Sequence, residues 1–122
     1  MSSQVVSIVD DNKGARFATA SLVRSLGWQA RVFASAEEFL DSGLLGETSF
    51  LISDIQMPGL SGIEMHDRLL GLGYAIPTIF ITAFSTAALK AEIQARGAPA
   101  LLEKPVDATT VERLLNLALG TP

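Results

Sequence analysis

The chain has no cysteine, so disulfide bonds and thiolate metal sites are excluded. It has no basic run, and its net charge of −4 argues against direct contact with DNA or RNA, which needs clustered Lys and Arg. No stretch reaches the roughly 18 continuous apolar residues of a membrane span. The opening "MSSQ" lacks both the basic flank and the apolar core of a signal peptide. A soluble, cytoplasmic protein with no membrane partner is expected. Aromatic residues are scarce, at 7%, which suits an aliphatic α/β interior. Internal repeats, low-complexity segments and linkers are also missing, and the tail "LGTP" follows directly on the last helical pattern. Residues 1–122 therefore read as one domain, a length that can bury a real core.

Four short apolar runs are present: "VVSIV" (5–9), "FLIS" (50–53), "TIFIT" (78–82) and "ALL" (100–102), the last opened by Pro99. Runs of this kind imply strands buried on both faces, as in a parallel sheet. "WQARVF" (28–33) alternates, with Trp28, Ala30 and Val32 on one side, and reads as an edge strand. Helical patterns lie between the runs. Ala18, Leu22 and Leu26 repeat every four residues up to Gly27. "SAEE" (35–38) and "SGIE" (61–64) are capping boxes that predict helices from Ala36 and Gly62. Ser85 is positioned to cap a fourth helix ending at Gly97. Asp107 is positioned to cap a fifth, with Val111, Leu114, Leu115 and Ala118 inward. Five strands alternating with five helices predict right-handed βαβ units, with helices on both faces of a parallel sheet.

Sites in such sheets form at the carboxyl ends of the strands. Here those ends carry Asp10 and Asp11, Asp54, Thr82, and Lys104 followed by Pro105. Three carboxylates, a hydroxyl and an ammonium would share one cleft. Two like charges about 4 Å apart repel by about 4 kcal/mol at an effective dielectric near 20, and a divalent cation removes that penalty. An all-oxygen donor set favours a hard ion, with Mg²⁺ the first choice. Asp54 is the candidate nucleophile, able to form an acyl phosphate. Lys104 and the Thr82 hydroxyl would then meet the phosphoryl oxygens. His66, the one histidine, is expected at an exposed position on the third helix.

The set "VDD" (9–11), "SDIQMPGLSG" (53–62), "TA" (82–83) and "KP" (104–105) resembles the receiver domain of two-component response regulators, in the style of receivers of LuxR-type regulators. The resemblance spans the chain. It implies a flavodoxin-like, doubly wound sheet in strand order 2-1-3-4-5. It implies phosphotransfer from a sensor histidine kinase or phosphotransfer protein to Asp54. It implies Mg²⁺ held by Asp10, Asp11, Asp54 and the backbone carbonyl of Gln56, and a signal reported by Thr82 and Lys104. It also implies a cis bond before Pro105, and a homodimer or docking face over the fourth helix, fifth strand and fifth helix. The chain would be a switch that modifies itself and not a turnover enzyme.

The chain departs from the family pattern at Leu101, where receivers usually carry Tyr or Phe as an inward-turning switch. Leu89, Ile93 and Leu101 read equally as packing or as a docking face, and Phe84 stands near the site mouth. Three other readings are weaker. A non-phosphorylated module would normally have lost an acidic residue or the lysine. A haloacid-dehalogenase-type phosphohydrolase wants an aspartate where Gln56 stands. A flavodoxin-type flavin carrier wants a phosphate-binding loop where Asp10 and Asp11 would repel the anion.

Overall fold

In the computed structural model, which describes residues 4–97 and 100–122, continuous apolar runs become strands sandwiched between helices. The elements are β1 (Val5–Val9), α1 (Lys13–Ser25), β2 (Gln29–Phe33), α2 (Ala36–Leu40), a 3-10 turn (Leu45–Glu47), β3 (Thr48–Asp54), α3 (Gly62–Gly71), β4 (Thr78–Thr82), α4 (Ala87–Ala95), β5 (Ala100–Glu103) and α5 (Ala108–Leu119). The strands form one parallel sheet in the order β2-β1-β3-β4-β5. The flavodoxin-like expectation holds.

Successive strand residues point to opposite faces, so the central strands need apolar residues at every position. Phe50 and Ile52 face α1 and α5, in a core with Val6, Ile8, Val23, Ile79, Ile81, Val111 and Leu115. Leu51 faces the other way, toward Phe39, Met57, Met65 and Leu69. Ile55, Phe80 and Ile93 make a third cluster, with Leu89 and Leu101 against it. Ile93 is thus a packing residue, and the two leucines lean on its cluster while staying half-exposed.

Several local expectations need correction. Trp28 is buried but precedes β2. The inner face of α1 is Thr19, Ala20 and Val23, while Ala18 is exposed; Leu22 and Leu26 are only half-buried, because the helix presents a stripe one position over from the apolar repeat. Ala118 on α5 is exposed as well, lying near the helix end. "ALL" is only half-buried because β5 is the second edge strand, with one neighbour. Pro99 lies outside the described residues. At α2 only half the capping box forms, with Ser35 accepting from the Glu38 N–H; at α3 Ser61 and Glu64 make both bonds. Thr86, not Ser85, caps α4, its hydroxyl accepting the Leu89 N–H, because the helix starts one residue later than the sequence suggests.

His66 is buried, not exposed. The inner face of α3 is Gly62, Met65, His66 and Leu69, and the imidazole packs edge-on to Phe80 at 5.5 Å. Burial holds its pKa below the ordinary histidine value. A single polar residue inside an amphipathic stripe reads as surface in a sequence, yet an uncharged ring packs well on an aromatic edge.

Candidate functional site

The parallel register brings the strand ends together. Val9 pairs with Ser53, Asp54 with Ile81, and Thr82 with Glu103. Asp10, Asp54, Thr82 and Lys104 therefore emerge along one edge of the sheet. The Asp10 N–H is tied to the Phe33 carbonyl at 3.1 Å, and the Lys104 N–H to the Thr82 carbonyl at 2.9 Å, so both backbones continue the sheet's bonding. The Lys104–Pro105 peptide is cis.

Asp10 and Asp54 are buried, at 0% and 5% exposure, and Asp11 is open to solvent. One carboxylate oxygen from each of the three lies within 4.8 Å of the others. Lys104 Nζ bridges the buried pair, 2.9 Å from Asp10 Oδ2 and 3.2 Å from Asp54 Oδ2, and it donates a hydrogen bond to Asp10 Oδ1 at 3.2 Å. Burial alone would lower the lysine pKa, but its bonds to Asp10 and Asp54 outweigh that and raise it, so the ammonium persists. Burial and then the neighbouring Asp10 charge push Asp54 up to about 6, against a smaller opposing pull from Lys104.

This charge balance is the test of whether a cation fits. Three carboxylates face one ammonium, which leaves two negative charges for a divalent ion. Asp10 Oδ2 is buried and lacks a hydrogen-bond donor in good geometry, although Lys104 is near it. The Lys104 ammonium already meets that oxygen, so it is the two negative charges left over in the cluster that call for a further cation. Hard oxygen donors of this kind could hold Mg²⁺.

Two loops flank Asp54. The loop from β3 to α3 carries Gln56, whose side chain is exposed. Its base is closed by the Gly62 N–H donating to the Ile55 carbonyl at 2.9 Å. A Cβ at Gly62 would overlap the Asp54 carbonyl, so glycine is needed where α3 begins. The loop from β4 to α4 starts at Thr82, which is buried. Its hydroxyl donates to the Phe84 carbonyl at 3.1 Å and accepts from the Phe84 N–H at 3.3 Å. That O–H is thus engaged within its own loop and is not directed at the acidic cluster. Phe84 is 83% exposed.

Three contributors escaped sequence reasoning. Asn12 caps α1 through the Ala15 N–H, and its own N–H donates to Asp10 Oδ1 at 2.9 Å. Arg16 donates to the Asp10 carbonyl at 2.8 Å. Glu37 on α2 accepts from the Leu60 N–H at 2.9 Å across the β3–α3 loop. Asn12 was detectable as a cap residue just before a helix. Nothing local in the sequence marks the other two, since each acts on a partner set by the fold.

Comparison with known proteins agrees with this geometry. Residues 6–116 match the family described as the response regulator receiver domain. The transcriptional regulatory protein FixJ of Azorhizobium caulinodans is 31% identical over 115 residues, covering 94% of this chain and 54% of FixJ. Nodulation protein W of Bradyrhizobium diazoefficiens is 36% identical over 101 residues, covering 83% of this chain and 44% of that protein. The chain thus spans about half the length of the curated relatives it matches. Among solved structures, a response regulator receiver protein from Burkholderia phymatum superposes with a TM-score of 0.82 at 38% identity, covering 98% of this chain and 97% of that one. The structure of FixJ-N gives 0.83 at 30% identity, covering 97% and 94%. With the family matched over nearly all of its length and the 2-1-3-4-5 sheet carrying an acidic cluster at its carboxyl edge, the chain belongs to the receiver domains of two-component response regulators.

Proposed function

We propose that Asp54 is the phosphoacceptor of this receiver, served by Asp10, Asp11, Thr82 and Lys104. The observation that carries the reading is the Lys104 ammonium set between two buried carboxylates, beside a third, with two negative charges left over. An Asp54 carboxylate oxygen attacks the phosphorus of a phosphohistidine. The O–P bond forms as the P–N bond breaks, and the imidazole nitrogen keeps the electron pair of the broken bond. Lys104 exchanges part of its contact with Asp54 for the arriving phosphoryl oxygens. The Thr82 O–H turns from the Phe84 carbonyl to the same group, and this relays the change into the β4–α4 loop. Mg²⁺, held by Asp10, Asp11, Asp54 and the Gln56 carbonyl, would supply compensation for the phosphoryl charge.

The donor is a sensor histidine kinase or phosphotransfer protein in the cytoplasm. The output face is α4, β5 and α5, through self-association or a partner, with no direct nucleic-acid contact by this domain. The chain acts as a switch that acquires and loses its own phosphoryl group, in keeping with Gln56 where a phosphohydrolase of the haloacid-dehalogenase type would need an acid. Incubation with acetyl phosphate and Mg²⁺, followed by intact-mass measurement, tests the assignment. The parent gains one phosphoryl group and Asp54→Ala gains none. An Asp54→Ala protein modified to the parent's extent overturns it.

A further inference from the structure

Glu37 stands on α2, a different element from every member of the acidic cluster, yet it reaches the loop that follows Asp54. Its Oε2 accepts the Leu60 N–H at 2.9 Å. Gly59, at φ +78°, lies so close to this carboxylate that an added Cβ would collide with it. A hydrogen bond and a left-handed glycine lying against the same carboxylate therefore bring the loop up to one side chain. Among the described residues, no other hydrogen bond ties residues 57–60 to anything. The base of the loop is fixed at Ile55 and Gly62, Met57 is buried in the core and Ser61 is held by Glu64, so the part left to Glu37 is Pro58 to Leu60. The Leu60 N–H, followed by Glu37's own N–H, holds the Glu37 carboxyl below its ordinary range despite some burial, and Arg68 adds to this, so the acceptor is ionised at neutral pH.

We propose that Glu37 is a positioning residue for the phosphoacceptor site: its carboxylate pins the tip of the β3–α3 loop and so holds the Gln56 carbonyl ready for the divalent cation. This rests on the metal role given above to Asp11 and Gln56. A carboxylate accepting a backbone N–H is a strong, short hydrogen bond, and outer-shell partners of metal sites act by orienting the ligands themselves.

The test is calorimetric titration of Mg²⁺ into the parent, Glu37→Ala, Glu37→Gln and Asp11→Ala, with melting temperatures measured in EDTA and in saturating Mg²⁺. Glu37→Ala should weaken Mg²⁺ binding about ten-fold, the low end for an outer-shell partner. Glu37→Gln keeps an acceptor oxygen and should stay within about three-fold of the parent. The melting temperature of Glu37→Ala in EDTA should match the parent, while its rise on adding Mg²⁺ should be smaller, as linkage requires. Equal Mg²⁺ affinity in Glu37→Ala and the parent, with Asp11→Ala impaired, overturns the role of Glu37 alone. A loss in Glu37→Ala that shows equally in EDTA melting and is not rescued by Gln also overturns it, since that is a purely structural role. A parent that binds no Mg²⁺, or an Asp11→Ala protein that binds like the parent, overturns the reading of the acidic site and the role of Glu37 with it.

Discussion

The two loops beside Asp54 are each held by the same kind of bond, a glutamate carboxylate on a backbone N–H, and yet they are built for different tasks. Glu37 holds Leu60 at 2.9 Å and Glu103 holds Ser85 at 3.0 Å. Behind the first bond the β3–α3 loop has a closed base, a glycine packed against the carboxylate, Met57 buried in the core, and a complete capping box at Ser61. Behind the second, the β4–α4 loop has an exposed Phe84 and a threonine hydroxyl bonded only to the backbone two residues on. What distinguishes the two loops is the packing behind the bond. Segments with few buried contacts open at low free energy, and the β4–α4 loop is the one with little to lose. The Thr82 hydroxyl, already satisfied, must change partner to respond to a phosphoryl group. A ligand shifts a two-state element only by its differential interaction with the two states.

The largest expected effect separates the acidic floor from both loops. Asp54 has its pKa raised to about 6 by burial and by Asp10. The folded form therefore binds this proton more tightly than the unfolded chain, with its ordinary value near 4. The resulting stabilisation is full below the unfolded value and is lost as pH rises through about 6. In metal-free buffer, chemical denaturation should show the parent losing up to about 3 kcal/mol between pH 4 and pH 7 relative to Asp54→Asn, at about 1.4 kcal/mol per pKa unit. If the two proteins keep a constant difference across that range, the floor is not strained, and the loops alone distinguish this end of the sheet.

The next effect sharpens the picture of the held loop. Asp11 would offer the cation a charged side chain, whereas Gln56 would offer only a backbone carbonyl that alanine retains. Asp11→Ala should weaken Mg²⁺ binding by at least about ten-fold, and Gln56→Ala by less than about two-fold, because affinity for hard cations tracks ligand charge. Calorimetry comparing the two variants decides it. Equal losses would mean that the Gln56 side chain, and not the fixed backbone, is what the loop presents.

The smallest effect concerns the movable loop. Amide hydrogen exchange with and without a beryllofluoride mimic of the phosphoryl group should change by a few-fold over residues 82–90 and hardly at all over 56–61. Thr82→Ala should abolish that change, and Thr82→Ser should keep it. With Leu101 half-buried against Phe80 and Ile93, no aromatic swings into vacated space, so a Leu101→Tyr variant should show a larger change than the parent. Equal changes in both loops would break the distinction between them.

Strand count, the parallel sheet and the charged residues at its carboxyl edge could all be read from the sequence, because they rest on local rules. Continuous apolar runs belong to strands covered on both faces, and Asp10, Asp54, Thr82 and Lys104 each lie at the end of such a run or within two residues of it. Most helix caps were legible for the same reason, since a cap and the N–H it satisfies lie within three residues. Tertiary structure decided everything that joins residues far apart in the chain. His66 is buried because α3 turns that face onto Phe80, not because of anything in its neighbours. The Ser85 N–H finds its acceptor, Glu103, eighteen positions away, and Thr86 takes the capping role because the helix starts one residue later. Glu37 resembles a first-turn acid in "SAEE" and acquires its partner only when α2 is laid beside the β3–α3 loop. The raised pKa of Asp54 is likewise a product of the fold, because burial and the approach of Asp10 exist only once β1 and β3 share one sheet. Short-range hydrogen bonds and periodicity are written along the chain, whereas desolvation and long-range contacts appear only when it folds.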